Sequence, residues 1–240
     1  MEAEQTVTPE QIEAMLQRLE TVRSGIAEAC RDSGRAPESV TLMAVTKTVD
    51  PALINAAVDA GVRVLGENRV QEFLSKRDAY RKEAEVQFIG HLQTNKVRQI
   101  IDKVTLIHSV DSLHLAEAVD RAAEAHGIVM SVLLEVNIGG ELSKSGVSPE
   151  ELEALLTAVQ KLSHVRVRGL MTIPPPLADA AEQDSVFGRM QTLYQQMQTL
   201  APLDVLSMGM SGDYAAAVRH GATVVRIGSA LFGARVYPQK

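Results

Sequence analysis

Eight short apolar segments, rich in β-branched residues, recur along the chain and alternate with amphipathic helical patterns. Most are apolar on both faces, as expected for strands of a parallel sheet covered by helices. Eight β/α units in 240 residues predict an α/β protein with a (β/α)₈ TIM barrel. An open doubly wound sheet is the alternative, but it usually has fewer strands. The predicted strands are Thr41–Val45, Val62–Leu65, Val86–Ile89, Val104–His108, Val129–Val136, Val165–Leu170, Asp204–Met208 and Thr223–Ile227.

One further helix is predicted before the first strand. Thr8–Gln11 supplies an N-cap, a first-turn proline and a capping-box partner. A similar pattern in Ser148–Glu151 predicts the cap of a later helix. No linker-like segment divides the chain. We therefore predict one barrel domain over residues 1–240, with the helix of residues 1–37 packed on the barrel.

The composition argues against several classes of function. The net charge of −6 disfavours nucleic-acid binding, and no apolar run reaches the roughly 18 residues of a membrane helix. The single cysteine, Cys30, cannot form an internal disulfide, and the six histidines lack the spacing of metal ligands. The N-terminus is acidic and does not look like a signal peptide. We expect a cytoplasmic, monomeric protein without a metal site.

Polar and glycine-rich clusters follow directly after the predicted strands, and in a (β/α)₈ barrel these strand ends form the face that carries active sites. The loops after strands seven and eight contain Ser211-Gly212-Asp213 and Gly228-Ser229-Ala230, each just before a helix. Backbone N–H groups at such positions bind anions. The alternative is that Gly228 serves packing and Ser229 caps a helix. Together the two loops favour a phosphate site.

Lys47 follows the first strand and is the candidate nucleophile. A lysine amine is almost entirely protonated at pH 7 unless burial or a neighbouring cation lowers its pKa. With that help it can form an imine with a carbonyl compound. The alternative is a strand-end lysine that reaches into solvent.

Two more residues are candidates for ligand contacts. Alternation along the last strand places Arg226 on the face that points into the barrel. The alternative role for Arg226 is an ion pair with Glu67 or Glu135. Asn68 follows the second strand, where it either contacts a ligand or caps a helix beginning at Arg69.

These candidates lie in a series of segments: Ala44–Thr48, Gly66–Glu72, Phe88–Lys96, Gly169–Ile173, Leu206–Ser211 and Val225–Gly233. In residues and order the series resembles the pyridoxal phosphate homeostasis protein family. That family has the barrel fold of bacterial alanine racemase. One segment departs from the resemblance, because Val86-Gln87 stands where the family often has an aromatic residue and a histidine.

The resemblance implies that the chain binds pyridoxal 5′-phosphate (PLP) and that Lys47 holds it as an internal aldimine. It implies that Arg226 faces the pyridine nitrogen and that Asn68 lies beside the ring. The phosphate contacts that it implies are Ser211, Gly228 and Ser229. Because an arginine keeps its proton, it leaves the ring nitrogen unprotonated and weakens the ring as an electron sink.

The racemases of this fold carry a second, β-rich domain that supplies another acid/base group. Only about a dozen residues follow the last predicted strand here, so we expect a barrel without that C-terminal domain. Tyr214 and His91 are the remaining options for a second acid/base group.

We therefore expect a non-catalytic protein of PLP homeostasis, which buffers the cofactor or delivers it to PLP-dependent apoenzymes. The alternatives are a PLP-dependent amino-acid racemase and a lysine Schiff-base aldolase acting on sugar phosphates. The glycine-rich loop of residues 139–146 is predicted to gate cofactor release.

Overall fold

The computed structural model describes residues 7–140, 145–175 and 179–234. Its eight strands are parallel and close into a barrel in chain order, with the last strand paired to the first. The predicted (β/α)₈ TIM barrel is confirmed. The strands are β1 (Thr41–Val45), β2 (Val64–Glu67), β3 (Glu85–Phe88), β4 (Leu106–Val110), β5 (Met130–Glu135), β6 (Val165–Met171), β7 (Val205–Met210) and β8 (Val224–Ile227).

Helices alternate with the strands and cover the outside of the barrel. They are α1 (Pro9–Asp32), α2 (Pro51–Asp59), α3 (Val70–Lys76), α4 (Val97–Ile100), α5 (Leu113–Ala125), α6 (Leu152–Val159), α7 (Ala180–Gln198), α8 (Tyr214–Arg219) and α9 (Ser229–Phe232). Helix α1 begins with the predicted capping box, in which Thr8 and Gln11 exchange two hydrogen bonds. It packs against α2, α8 and α9. None of the helices in the described ranges is long and apolar enough to span a bilayer.

Some element boundaries differ from the prediction. Strands β2 and β4 each begin two residues later than expected. Before β2, Gly61 adopts a φ of +95° and the Val62 N–H still bonds back to α2, so the chain is not yet extended. The predicted cap at Ser148 is wrong. Its hydroxyl donates to the Glu151 carboxylate at 2.8 Å, and α6 begins only at Leu152.

The apolar core has two layers, one on each side of the sheet. The outer layer fills the space between strands and helices. The inner layer fills the barrel and consists of Met43, Val45, Val64, Ile89, Leu106, Leu133, Met171, Val205 and Val224. Alternation along β8 therefore points Val224 and Arg226 into the barrel, whereas Val225 and Ile227 belong to the outer layer.

Candidate functional site

One cavity of about 520 Å³ opens at the carboxyl ends of the strands. All six residues predicted as ligand contacts line it, although they come from the ends of four different strands. Its volume is typical of a site for a small molecule. The described residues that line it are Val45, Lys47, Asn68, Ile89, Ile173, Met210, Ser211, Gly212, Arg226, Gly228 and Ser229.

Helix α3 holds the turn of residues 46–49, which carries Lys47, by hydrogen bonds made outside the cavity. The Glu72 carboxylate accepts hydrogen bonds from the Thr48 N–H at 2.5 Å and from Lys76 Nζ at 2.7 Å. Lys76 Nζ also donates to two backbone carbonyls of the turn, at 3.1 and 3.3 Å. Thr48 has a φ of +61°, a conformation that β-branched residues rarely adopt. These contacts fix the backbone on both sides of the half-buried Lys47.

Glu67 lies outside the barrel, because alternation along β2 points Val64 inward and Glu67 toward the helices. Its Oε1 accepts hydrogen bonds from Thr46 Oγ1 at 2.7 Å and from the Tyr80 hydroxyl at 2.5 Å. Burial raises the pKa of Glu67, and these two hydrogen bonds oppose that effect. The alternative of an ion pair between Glu67 and Arg226 is therefore wrong.

Arg226 is buried where the cavity meets the barrel interior. Its Nη1 donates to Ser207 Oγ and its Nη2 to the Thr172 carbonyl, both at 2.8 Å. Burial lowers the pKa of Arg226 to about 10, and the charges of Asp213 and Glu135 oppose this effect. Arg226 therefore stays protonated at neutral pH.

Glu135 also faces the barrel interior, but the hydrogen bonds of Arg226 among the described residues go to Ser207 and Thr172 and not to Glu135. Burial and the neighbouring charge of Asp111 raise the pKa of Glu135 to about 7, while Arg226 opposes the rise. The second alternative, an ion pair between Glu135 and Arg226, is therefore wrong as well.

The loops after β7 and β8 meet at Ser211. Its Oγ accepts hydrogen bonds from the backbone N–H groups of Gly228 at 3.2 Å and Ala230 at 3.1 Å. With both lone pairs used, the hydroxyl hydrogen is left to donate. Gly209 allows the end of β7 to pack closely on α8, because it has a φ of +89° and a Cβ there would lie 2.5 Å from that of Ala217. The backbone N–H groups of Gly228 and Ala230, which the sequence predicts to bind an anion, thus donate to Ser211 Oγ in this structure.

Asn68 forms part of the cavity wall. The alternative that it caps a helix is wrong, because α3 begins at Val70 and Arg69 occupies the N-cap position without a side-chain bond. Its Oδ1 is buried and has no hydrogen-bond partner among the described atoms. The loop after β3 approaches closely here, since a Cβ on Gly90 would lie 2.0 Å from the Asn68 carbonyl oxygen.

The two options for a second acid/base group lie outside this cavity. The Tyr214 hydroxyl contacts α1, where it lies 2.2 Å from the position of a Cβ on Gly25. His91 lines an adjoining groove with Arg69 and Lys96. Neither side chain is therefore placed among the described residues that line the cavity.

The glycine-rich loop after β5 is described only at its two ends, because residues 141–144, including Lys144, lie outside the described ranges. A β-bridge between Val136 and Val147 joins the ends. The predicted gating of cofactor release stays a prediction.

Four residues around the site were not identified from the sequence: Glu72, Lys76, His108 and Ser207. The last two carry a signal that could have found them, since they are polar residues at inward positions of mostly apolar strands. Glu72 and Lys76 look like an ordinary surface pair at i, i+4 on a helix. Only the folded chain brings them against the Lys47 turn.

Comparison with known proteins first defines the class. A family model described as the alanine racemase N-terminal domain matches residues 19–236. The alanine racemase of Clostridium difficile 630 superposes with a TM-score of 0.70 at 16% identity, covering 96% of this chain and 58% of that chain. At this identity, the likeness shows a shared fold.

More similar relatives define the family. The chain is 44% identical over 224 residues to the pyridoxal phosphate homeostasis protein of Aquifex aeolicus, covering 92% of this chain and 98% of that one. It is 40% identical over 227 residues to the protein of the same name from Escherichia coli K12, covering 92% and 97%. PipY of Synechococcus elongatus, solved with PLP bound, superposes with a TM-score of 0.78 at 37% identity, covering 91% and 100%.

The chain therefore belongs to the alanine racemase N-terminal domain family and, within it, to the pyridoxal phosphate homeostasis proteins. This confirms the resemblance found in the sequence segments.

Proposed function

We propose that this protein binds PLP in the cavity at the mouth of the barrel and acts in PLP homeostasis by buffering or delivering the cofactor. One observation carries the proposal: an amine, a buried cation and two loops with anion-binding donors line the same cavity. The relatives named for pyridoxal phosphate homeostasis, and PipY with PLP bound, support it.

The side of the cavity formed by the loops after β7 and β8 suits the phosphate. Ser211 has a hydroxyl hydrogen left to donate, and Ser229 lies at the start of α9. The N–H of Gly228 already donates to Ser211, so we propose that Gly228 lies against the phosphate without donating to it. Hydroxyl and backbone N–H donors of this kind are the usual partners of a phosphate. We assign the phosphate to Ser211, Gly228 and Ser229.

The opposite side suits the aldehyde and the ring. The amine of Lys47 condenses with the aldehyde and releases water. The guanidinium of Arg226 faces the ring nitrogen, and Asn68, whose buried Oδ1 has no partner among the described atoms, lies beside the ring. When bound, PLP supplies an electrophilic carbonyl group and an electron-withdrawing ring.

We infer that the protein has no efficient turnover of its own. Among the described residues lining the cavity, Lys47 and Arg226 are the titratable ones. Racemisation needs proton transfer on both faces of a carbon, hence two suitably placed acid/base groups. Arg226 keeps its proton, because burial lowers its pKa only to about 10. A ring nitrogen facing it stays unprotonated, which weakens carbanion stabilisation.

The recipients that we propose are PLP-dependent apoenzymes. A cofactor attached through one reversible carbon–nitrogen bond can be passed to another lysine amine. We also propose that the protein functions as a monomer. We place the protein in the cytoplasm, in keeping with its single, buried cysteine Cys30.

The test is an absorption spectrum of the purified protein with PLP, followed by borohydride reduction and peptide mass spectrometry. We expect the reduced pyridoxyl group on Lys47, and no imine absorbance in Lys47→Ala. Lys96→Ala, which removes a lysine from the adjoining groove, is the control and should keep the absorbance. Retention of the absorbance in Lys47→Ala would overturn the assignment. Efficient, saturable deuterium exchange at the α-carbon of an amino acid would overturn the non-catalytic role.

A further inference from the structure

Four polar side chains form one hydrogen-bonded chain across the barrel interior, beside the cavity. They come from four strands: Gln87 from β3, His108 from β4, Ser207 from β7 and Arg226 from β8. Arg226 Nη1 lies 2.8 Å from Ser207 Oγ, which lies 3.0 Å from His108 Nδ1. His108 Nε2 lies 2.7 Å from Gln87 Oε1. His108 and Ser207 are fully buried, and Arg226 is 2% exposed.

The direction of each hydrogen bond follows from the two ends of the series. Gln87 Oε1 can only accept, so the proton of His108 is on Nε2 and Nε2 donates to Gln87. In a neutral ring Nδ1 then accepts from the Ser207 hydroxyl, whose oxygen accepts from the Arg226 guanidinium. Burial and the charge of Arg226 hold the pKa of His108 well below its ordinary value, which agrees with a neutral ring.

If these hydrogen bonds were lost, the Arg226 side chain could adopt other orientations. The carboxylates of Glu135 and Asp213 both act on its charge. An N–H group left without an acceptor in this interior would be costly, so the guanidinium would move toward one of these acids. Gln87 Oε1 accepts the hydrogen bond from His108 Nε2, which keeps His108 in this tautomer. The series of hydrogen bonds from Gln87 to Arg226 therefore specifies one orientation of the Arg226 guanidinium.

We propose that Ser207 and His108 are positioning residues that hold the Arg226 guanidinium in the orientation in which it contacts the ring nitrogen of PLP. This inference rests on the proposed function. The hydrogen-bonded chain then strengthens the binding of a ligand that has an acceptor at this ring position. It does not strengthen the binding of a ligand that lacks one.

The test compares two probes: PLP and its 1-deaza analogue, in which a CH group replaces the ring nitrogen. Wild-type protein should bind PLP more tightly than the analogue, as measured by absorbance titration. In Ser207→Ala this preference should fall by about fivefold, the factor contributed by one ordinary hydrogen bond. Ser207→Thr keeps a hydroxyl and should keep the preference.

Ser109→Ala is the matched control. Ser109 is as buried as Ser207 and lies next to His108 on β4, but its Oγ has no partner among the described atoms. The substitution should leave the preference for PLP unchanged. A general loosening of the barrel would instead weaken both probes alike.

His108→Leu provides a second variant in case Ser207→Ala does not fold, and it should lower the preference in the same direction. An unchanged preference in both variants, with PLP still bound, would overturn the positioning role and leave the proposed function intact. Failure of wild-type protein to bind PLP would overturn both.

Discussion

The two sides of the cavity are held by different means. On the side of β1, the ion pair between Glu72 and Lys76 grips the Lys47 turn from outside the cavity. On the side of β7 and β8, the two loops are joined by Ser211, which itself lines the cavity. The first support reaches a ligand only through the backbone, whereas the second touches it directly.

This difference determines how each side responds to a substitution. Loss of the grip on the Lys47 turn should lower stability and weaken every ligand that bonds to the amine, with or without a phosphate. Loss of the Ser211 hydroxyl should weaken only ligands that carry a phosphate. PLP and pyridoxal, which lacks the phosphate, separate the two cases.

The largest effect is expected from Glu72→Gln. Burial raises the pKa of Glu72, but hydrogen bonds from Lys76 and Thr48 outweigh it and lower the pKa below the ordinary 4.5. The amide would leave the mostly buried Lys76 ammonium without its counterion, so the free energy of unfolding should fall by about 2 kcal/mol. PLP and pyridoxal should both bind about tenfold more weakly. Urea denaturation and absorbance titration measure these changes.

The same variant has a pH signature. A carboxylate with a lowered pKa stabilises the fold above its ordinary pKa, and this stabilisation is lost as pH falls from 4.5 through the lower value. Glu72→Gln should therefore be less sensitive to pH than wild type below about 4.5. Asp59→Asn, in the exposed pair with Arg81, is the control and should leave PLP binding unchanged. Equal losses in the two variants would contradict the gripping role.

The next largest effect is expected from Ser211→Ala. Its hydroxyl uses both lone pairs for Gly228 and Ala230 and has one hydrogen to donate. A hydrogen bond to a charged phosphate contributes more than a neutral one, so PLP should bind about tenfold more weakly. Pyridoxal should bind as it does to wild type, and Ser211→Thr should restore PLP binding. An equal loss for pyridoxal would place Ser211 away from the phosphate.

Much of this arrangement could be predicted from the sequence because it depends on periodicity. Eight apolar segments predicted eight parallel strands, and the carboxyl ends of such strands lie on one face of the barrel for any loop sequence. That argument alone brought Lys47, Ser211 and Arg226 together, and the structure has them in one cavity. Boundaries were less predictable, since the turn after Gly61 depends on one backbone bond of Val62.

The supports of the site could not be predicted, because they depend on distances between elements. Lys76 reaches carbonyls of the Lys47 turn that lie 27 and 30 positions earlier in the chain. Tyr214 follows β7 as an acid/base group would, yet it packs on α1. Periodicity gives the face of a strand on which a side chain lies but not the partner it finds there.

The smallest effect is expected at Thr48, in the turn on the β1 side of the cavity. A φ of +61° strains a β-branched residue, and the Thr48 side chain is exposed, so its loss removes no packing. Asparagine tolerates this conformation and keeps the N–H group that donates to Glu72. Thr48→Asn should therefore raise the free energy of unfolding by about 0.5–1 kcal/mol, measured by urea denaturation, and leave PLP affinity unchanged.

Thr157→Asn, at an exposed position of α6, should give no such gain. A gain in stability together with a loss of affinity would mean that the strain at Thr48 itself helps to place Lys47, and the grip of Glu72 would then not be sufficient.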